Sequence, residues 1–356
     1  MLESNLGELS ADLKNLAAIL ELVRIEEWIP STYWNSGRQP KDRHSIARAF
    51  IAKIFFKFSH TKQLIHALKT DKQLRVICGW NPWSTIPSKS KFSRVFKEFA
   101  KFSLPEKAHQ ALIKEAYKGH IICHVVKDSV PLEAREKPLK KPSIAVRKKI
   151  KSQRQSRQRR GELNRRQKQL IEKDVGVQIS ELPTACDKGM KKSAHGYTKI
   201  WKGYKLHAAV DDHCIPLAAI VTSASLHDCE VAIPLAKKSH QVAFNFYDLM
   251  DAAYDHPEIR EHSISLGHVP IIDFSPCNKA QKDEKEAEKE RKRLLHFKTA
   301  EDKRYKERLP KERFNALYKD YCGGKNIFYK GHSKVTCHVM FGILTFTAST
   351  LIRLIQ

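Results

Sequence analysis

The sequence is short of acidic residues relative to basic ones. Its 356 residues include 39 Asp and Glu against 65 Lys and Arg, which gives a formal net charge of +26. A folded protein this basic is expected to bind a polyanion. Nucleic acid is the better candidate, because the sequence lacks the basic amphipathic anchor or lipidation motif that would favour an anionic membrane.

Secretion signals and paired cysteines are also missing. Residues 1–4 do not begin a basic region followed by an apolar core, so no secretory signal is expected. The eight cysteines are scattered and none form a Cys-x-x-Cys pair, which favours a reduced, cytoplasmic chain. The apolar stretch 338–355 contains several polar residues, so we expect a buried terminal helix there rather than a membrane span.

The N-terminal hundred or so residues are typical of an all-α domain. Hydrophobic residues make up 41% of the sequence, which excludes wholesale disorder, and here they recur at helical spacing. After a helix start at Pro87-Ser88, Phe92, Phe96 and Phe99 share one face. A helix with an apolar back and a basic front is suited to a DNA groove, or is an ordinary solvated face. The basic residues of this front are Lys89, Lys91 and Arg94.

Residues 135–173 are strongly basic and poor in apolar side chains, so this segment cannot build a core of its own. Such a run can bind the phosphates of DNA or RNA without reading sequence, or it is a solvated linker. The residues that we expect to bind DNA here are Arg147, Lys148, Lys149, Arg159 and Arg160.

The rest of the chain predicts an α/β fold. The predicted elements are a strand at 121–126, a two-strand hairpin at 204–210 and 215–221, a helix at 228–238, a strand at 244–250, a helix at 256–266, a strand at 269–272, and helices at 279–293 and 301–321. This is the order of a ribonuclease-H-like mixed sheet flanked by helices, with a basic insertion after its first strand. The predicted domains are a helical DNA-binding domain at 1–115, a catalytic domain at 116–136 and 196–356, and an insertion at 137–195.

Three acids could form a metal site in such a fold. Asp128 ends the first predicted strand and Asp251 ends the fourth, and these strands lie side by side in this fold. Glu312, on the last predicted helix, could complete the site. Mg²⁺ prefers carboxylate oxygens, and two such ions about 4 Å apart can promote an in-line displacement at phosphorus.

The last predicted helix carries a spaced set of polar residues. It reads Tyr305-x2-Arg308-x3-Glu312-x6-Lys319. At 3.6 residues per turn, Arg308, Glu312 and Lys319 lie near one face, so one carboxylate would be flanked by two phosphate-binding cations. A solvated helix with intrahelical ion pairs is the alternative.

This pattern resembles the YREK signature of bacterial insertion-sequence transposases of the DDE class. Further blocks similar to that family are residues 203–207, 222–228, 247–254 and 325–344, and residues 37–94 are similar to its DNA-binding domain. The resemblance implies Asp128, Asp251 and Glu312 as catalytic metal ligands. It also implies that Tyr305, Arg308 and Lys319 touch transposon-end DNA.

The resemblance implies an enzyme that hydrolyses DNA at the ends of the element and then joins a 3′-hydroxyl to target DNA. It implies two Mg²⁺ or Mn²⁺ ions as cofactors and double-stranded DNA as the partner, with no membrane. It further implies a homodimer on DNA, in the bacterial cytoplasm and associated with the nucleoid.

Some alternatives stay open at this point. Many relatives carry Gly shortly after the second Asp, where this chain has Ala252-Ala253, so Asp248 and Asp255 are possible substitutes for Asp251. The weaker substitutes for Glu312 are Glu307 and Asp320. A non-catalytic nucleic-acid-binding regulator or decayed transposase, and a nuclease that cuts without joining, are the alternative functions.

Overall fold

The computed structural model describes residues 7–30, 42–138, 140, 143, 145, 146, 148, 149, 152, 153, 156, 160–192, 196–276, 278–325 and 327–355. Two residues predicted to bind DNA, Arg147 and Arg159, lie outside this set, as do residues 37–40.

The described helices and strands are as follows. The helices are α1 (Ala11–Val23), α2 (Arg43–Phe55), α3 (Thr61–Thr70), α4 (Lys72–Ile77), α5 (Lys89–Phe102), α6 (Leu104–Ala116), α7 (Arg165–Ile171), α8 (Val175–Ser180), α9 (Ala232–His240), α10 (Pro257–Ser265), α11 (Lys279–Leu294), α12 (Ala300–Tyr305), α13 (Leu309–Tyr321) and α14 (His332–Ile355). The strands are β1 (Ile121–Glu133), β2 (Asp187–Lys192), β3 (Thr198–Val210), β4 (Pro216–Ser223), β5 (Phe244–Met250) and β6 (Val269–Ile272). Single 3₁₀ turns occupy Ile25–Trp28, Asp228–Glu230, Ala252–Tyr254 and Lys306–Arg308.

The chain forms two compact units. The helical unit comprises Met1–Lys118, Leu132–Glu136 and Asn315–Gln356, and the sheet unit comprises Gly119–Pro131 and Lys137–Phe314. The predicted domains placed residues 315–356 with the catalytic part instead. The assignment of DNA binding to the N-terminal domain and of catalysis to the α/β domain stays a prediction.

Aromatic side chains form the centre of the helical unit. Phe50 on α2 packs against Phe96 on α5 and Phe341 on α14, with ring centroids 4.8 and 5.6 Å apart. The predicted apolar face of α5 is confirmed, because Phe92, Phe96 and Phe99 are buried. Lys89 and Arg94 are exposed. Lys91 is half-buried. Aromatic packing therefore fixes which side of α5 carries the basic residues.

The last helix, α14, is apolar and long enough to cross a membrane by length and composition, but 78% of its most apolar 18-residue window is buried inside the protein. It packs on α1, α2, α5 and α6 within the helical unit. The predicted buried terminal helix is confirmed.

A six-stranded mixed sheet organises the sheet unit. Its order is β2-β3-β1-β5-β6, and β4 pairs with β3. β1, β5 and β6 are parallel, whereas β3 and β4 form an antiparallel hairpin. This architecture is consistent with the predicted ribonuclease-H-like fold. The predicted bounds of β5 and β6 are those observed.

Two features of the sheet unit differ from the sequence prediction. β1 continues to Glu133, so Asp128 lies within the strand rather than at its end. The basic insertion contributes α7, α8 and the edge strand β2. Leu170 of α7 packs against a buried cluster that includes Ile233 and Ile259, so the insertion uses the core of the sheet unit.

A buried ion pair joins β1 to β5. Lys127 and Asp248 are both fully buried and their charged groups are in contact. Asp248 also accepts hydrogen bonds from Asn245, Ser263 and His268, at 3.0, 2.8 and 3.2 Å. Burial alone would raise the pKa of Asp248, but Lys127 and His268 outweigh it and hold the pKa well below its usual range. Asp248 is therefore a charged structural residue.

We predict that Asp248→Ala lowers the free energy of unfolding by about 3–5 kcal/mol, because Lys127 would remain buried without a counter-charge. Urea unfolding followed by circular dichroism measures this. The exposed Asp283 on α11 is the control, and Asp283→Ala should change stability by less than about 0.5 kcal/mol. Equal effects of the two substitutions would contradict the structural role of the pair.

Candidate active site

Asp128 and Asp251 directly follow the last paired residues of two neighbouring parallel strands. In the β1–β5 register, Val126 is opposite Leu249 and Lys127 is opposite Met250. The next residue on each chain segment is an Asp, so the two carboxylates occupy adjacent positions at this edge of the paired region. β5 ends at Met250, and Asp251 then caps the 3₁₀ turn Ala252–Tyr254.

Both carboxylates keep oxygen atoms free for a ligand. Asp128 accepts a hydrogen bond from the backbone amide of Ser129 at 2.7 Å, and Asp251 accepts one from the amide of Ala253 at 3.0 Å. Within the described part of the chain, no side chain donates a hydrogen bond to either. Both acids are half-buried. Two hard, partly exposed oxygen donors of this kind suit a divalent cation.

Nearby positive groups do not fully offset the negative charges of Asp128 and Asp251. Burial raises the pKa of Asp251, and the negative charge of Asp128 raises it further. Arg308 lowers the pKa but does not cancel the other two effects. A cation bound between the two acids would relieve this repulsion.

A third acid, Asp228, also acts on Asp251, although its own oxygens are already hydrogen bonded. Lys205 donates to one oxygen at 2.9 Å and the Ser129 hydroxyl to the other at 2.8 Å. Burial would raise the pKa of Asp228, but His207 and Lys205 outweigh it, so the pKa is lowered. Asp228 therefore adds fixed negative charge beside the pair.

Tyr305 and Arg308 lie beside the acid pair. The Tyr305 ring packs on a buried cluster of β1, β5 and β6 that contains Val126 and Leu249. Arg308 donates a hydrogen bond to the Tyr305 hydroxyl at 2.5 Å, and its guanidinium lies 5.0 Å from the ring centroid. Burial raises the pKa of Tyr305, and Asp251 contributes to the increase. The structure thus brings two of the four spaced residues to this edge of the sheet.

The predicted continuous helix at 301–321 is wrong. The segment forms α12, the 3₁₀ turn Lys306–Arg308 and α13, with a non-helical backbone at Glu307 (ψ 19°). Pro310 follows this break, and a proline has no amide hydrogen to continue a preceding helix. The break separates Tyr305 from the other three spaced residues, and Glu312 and Lys319 still share α13.

The first turn of α13 directs one charged residue inward and leaves the next one exposed. Lys311 is buried, whereas the neighbouring Glu312 is exposed. In the described part of the chain, Glu312 has no hydrogen bond or ion pair. Lys319 is half-buried and belongs to the helical unit. The catalytic role of Glu312 and the DNA contact of Lys319 stay predictions.

The alternatives to Asp251 have other partners. Asp248 is fully buried and forms an ion pair with Lys127. Asp255 accepts hydrogen bonds from Arg260 at 2.9 Å and from the backbone amide of Ser275 at 2.9 Å. Of these three acids, Asp251, which directly follows β5, is the one whose described hydrogen bonds come from a backbone amide alone. The substitutes considered for Glu312 are both exposed: Glu307 and Asp320.

Elsewhere in the sheet unit, three side chains that could bind a metal have their ligand atoms within 4.8 Å of one another. Among the residues described, the set of three metal-ligating side chains with this spacing is Cys123, His124 and Asp212. Asp212 accepts hydrogen bonds from both the backbone amide and Nδ1 of His124, each at 3.0 Å. The Cys123 thiol is in turn 3.7 Å from His124 Nε2, so the three side chains are already hydrogen bonded to one another. The predicted triad has no such preformed spacing.

Sequence reasoning missed two buried groups beside the acids. The Tyr254 hydroxyl is fully buried and has no hydrogen-bond partner among the described residues. Burial together with Asp228 and Asp128 raises its pKa. The Lys311 amine is also buried, and no described residue forms a hydrogen bond with it. The signal for Lys311 was Pro310, which sets the start of α13 and hence its inward face.

The basic insertion contributes exposed cations. Lys148, Lys149 and Arg160 are exposed, and Arg160 lies 3.4 Å from Glu162 in a solvent-accessible ion pair. Exposed pairs of this kind contribute little to stability. These residues are accessible to a polyanion, and their DNA binding stays a prediction.

Comparison with protein families finds two matching regions. Residues 176–347 match the family described as a transposase DDE domain, and residues 4–98 match the transposase domain DUF772. These matches support a DDE-type transposase. The DDE match contains Asp251 and Glu312 and begins after Asp128. Comparisons with curated proteins and with solved structures gave no match.

The adjacency of the two acids predicts a coupled titration. Asp128→Asn should lower the pKa of Asp251, because it removes a negative charge that raises this pKa. Carboxyl ¹³C NMR across a pH series, in metal-free buffer, measures the shift. Asp283→Asn, on exposed α11, should leave the titration of Asp251 unchanged. An Asp251 pKa that does not respond to Asp128→Asn would contradict the register described here.

Proposed function

We propose that this chain is a DNA transposase of a bacterial insertion sequence. It binds the terminal inverted repeats, hydrolyses phosphodiester bonds at the ends and joins the freed 3′-hydroxyl to target DNA. The observation that carries the proposal is that Asp128 and Asp251 directly follow the last paired residues of the parallel strands β1 and β5. The two family matches and the net charge of +26 support it. A homodimer on DNA, acting at the nucleoid in the cytoplasm, is part of the proposal.

Asp128, Asp251 and Glu312 are the proposed ligands of two Mg²⁺ or Mn²⁺ ions. The free carboxylate oxygens and the raised pKa of Asp251 fit such ions. When bound, divalent ions would activate the attacking oxygen and stabilise the leaving one. Glu312 is included because the resemblance to the YREK signature implies it, and its side chain is exposed.

The remaining residues of the proposed site bind and orient DNA. Arg308 brings a positive charge to Asp251, and a guanidinium is well suited to a phosphate near the cut. Tyr305 holds Arg308 through its hydroxyl. Contacts farther along the DNA are assigned to basic residues. These residues would bind phosphates and so contribute to affinity, but they would not recognise the base sequence. They are Lys319, Lys89, Lys91, Arg94, Arg147, Lys148, Lys149, Arg159 and Arg160.

We predict that Asp128→Asn, Asp251→Asn and Glu312→Gln each reduce Mg²⁺-dependent cutting of inverted-repeat DNA by about 10³-fold or more. Binding of the same DNA should persist, because the cationic contacts remain. Cutting is measured on labelled ends and binding by fluorescence anisotropy. Asp255→Asn is the matched control, since Asp255 is another half-buried acid just beyond β5, and it should retain cutting within a few fold.

The products separate the alternative functions. Cutting that survives all three substitutions would reject the assignment. Hydrolysis with no strand-transfer product would indicate a nuclease on the same fold. Salt-sensitive DNA binding without metal-dependent cutting would indicate a regulator or a decayed copy.

A further inference from the structure

The edge strand β2 and the first half of β3 form a β-ribbon, which comprises residues 187–192 and 198–203. The two strands are antiparallel, and Asp187 pairs with Gly203 at one end of the ladder. From Tyr204 onward, β3 pairs with β4 instead. The β-ribbon therefore continues the strand that forms the hairpin of the sheet unit.

Two pairs of lysines face each other across the β-ribbon. Lys188 lies opposite Lys202, and Lys191 lies opposite Lys199. All four side chains are exposed. Like charges directly opposite on antiparallel strands repel each other and weaken the pairing. In the part of the chain that the structure describes, no acidic side chain forms an ion pair with Lys188, Lys191 or Lys202.

The lysines occupy both faces of the β-ribbon, because successive residue pairs along a ladder point to opposite faces. Lys188 and Lys202 share one face with Met190 and Ile200, which lie opposite each other and are 65% and 63% exposed. Lys191 and Lys199 lie on the other face. The β-ribbon thus presents cations on both sides and one exposed apolar pair.

Packing rather than charge pairing holds the β-ribbon together. Trp201 is 5% exposed and lies against Gly189, where a Cβ atom would overlap its ring. The Trp201 indole also donates a hydrogen bond to the carbonyl oxygen of Tyr204 at 3.1 Å. Since the ladder is fixed in this way, the repulsion between paired lysines is a cost that an external anion would relieve.

The β-ribbon leads directly to the candidate active site. Three residues after Lys202 on the same strand, Lys205 donates a hydrogen bond to Asp228 at 2.9 Å. Asp228 acts electrostatically on Asp251. Three strand residues span about 10 Å, so DNA at the candidate site would pass within reach of the β-ribbon lysines.

We propose that the β-ribbon is a docking surface for the backbone of duplex DNA beside the cut. The paired lysines bind phosphates, and Met190 with Ile200 lies against the groove between them. The major groove of DNA is wide enough to admit a two-stranded ribbon. Bound phosphates would neutralise the repulsion across the ladder. This inference rests on the proposed function, since it takes duplex DNA as the partner.

The test removes one lysine pair from the full-length chain with the double substitution Lys188→Gln/Lys202→Gln. Binding of a labelled inverted-repeat duplex is measured by fluorescence anisotropy across a salt series without divalent metal. Loss of two phosphate contacts should reduce the slope of log affinity against log salt by about 2, and should weaken binding by about tenfold or more at physiological salt. Lys188→Arg/Lys202→Arg keeps the charge and should bind as wild type.

The matched control is Lys282→Gln/Lys289→Gln on α11. It removes the same charge from two exposed lysines that alternate with acids along one helix. Both the slope and the affinity should stay at their wild-type values. An equal loss of binding in this control would show a general effect of net charge and would overturn the docking surface.

A stability measurement excludes loss of binding through unfolding. Removing Lys188 and Lys202 relieves like-charge repulsion, so the midpoint of thermal unfolding, followed by circular dichroism, should stay the same or rise. Weaker DNA binding together with unchanged or higher stability is the expected combination. A lower midpoint would show that the lysines support the fold and would overturn the inference.

The remaining outcomes separate this inference from the proposed function. If the wild-type chain binds no duplex even at low salt, the proposed function fails. If it binds and cuts the duplex but Lys188→Gln/Lys202→Gln binds as wild type, only the docking surface is overturned. A changed sedimentation coefficient of the DNA-free variant, with unchanged DNA binding, would show that a second copy of the chain covers the β-ribbon and would also overturn it.

Discussion

The pairing of β1 with β5 determines where the acids lie, and a buried ion pair joins these two strands. Lys127 immediately precedes Asp128, and its partner Asp248 lies three residues before Asp251 on the neighbouring strand. A slip of one residue would turn Asp128 to the other face of the sheet and would also separate Lys127 from Asp248. The cost of separating that pair therefore protects the register on which the candidate site depends.

The two sets of charges beside this register have different roles. Asp248 is surrounded by donors, and its charge is fully satisfied inside the sheet unit. Among the described residues, Asp128 and Asp251 accept hydrogen bonds from backbone amides alone, and the two carboxylates repel each other. Such uncompensated charge is unfavourable for folding and is therefore a mark of a binding site.

The sequence predicted the parts of this protein that depend on local pattern. The bounds of β5 and β6, the β3–β4 hairpin and the buried Phe face of α5 all follow from periodicity within one element. The break before α13 was missed, although Pro310 was a readable signal for it. The inward position of Lys311 and the burial of Asp248 depend on packing between distant segments, which periodicity does not report. The same limit explains why Asp248 remained an alternative to Asp251.

The most direct measurement is a crystal structure of the chain with a transposon-end duplex and Mn²⁺, with data collected at a wavelength where manganese scatters anomalously. Our account predicts anomalous peaks in contact with the carboxylate oxygens of both Asp128 and Asp251, with Asp248 still sealed against Lys127. Manganese at Cys123 and His124 alone, or no peak between the two acids, would contradict it.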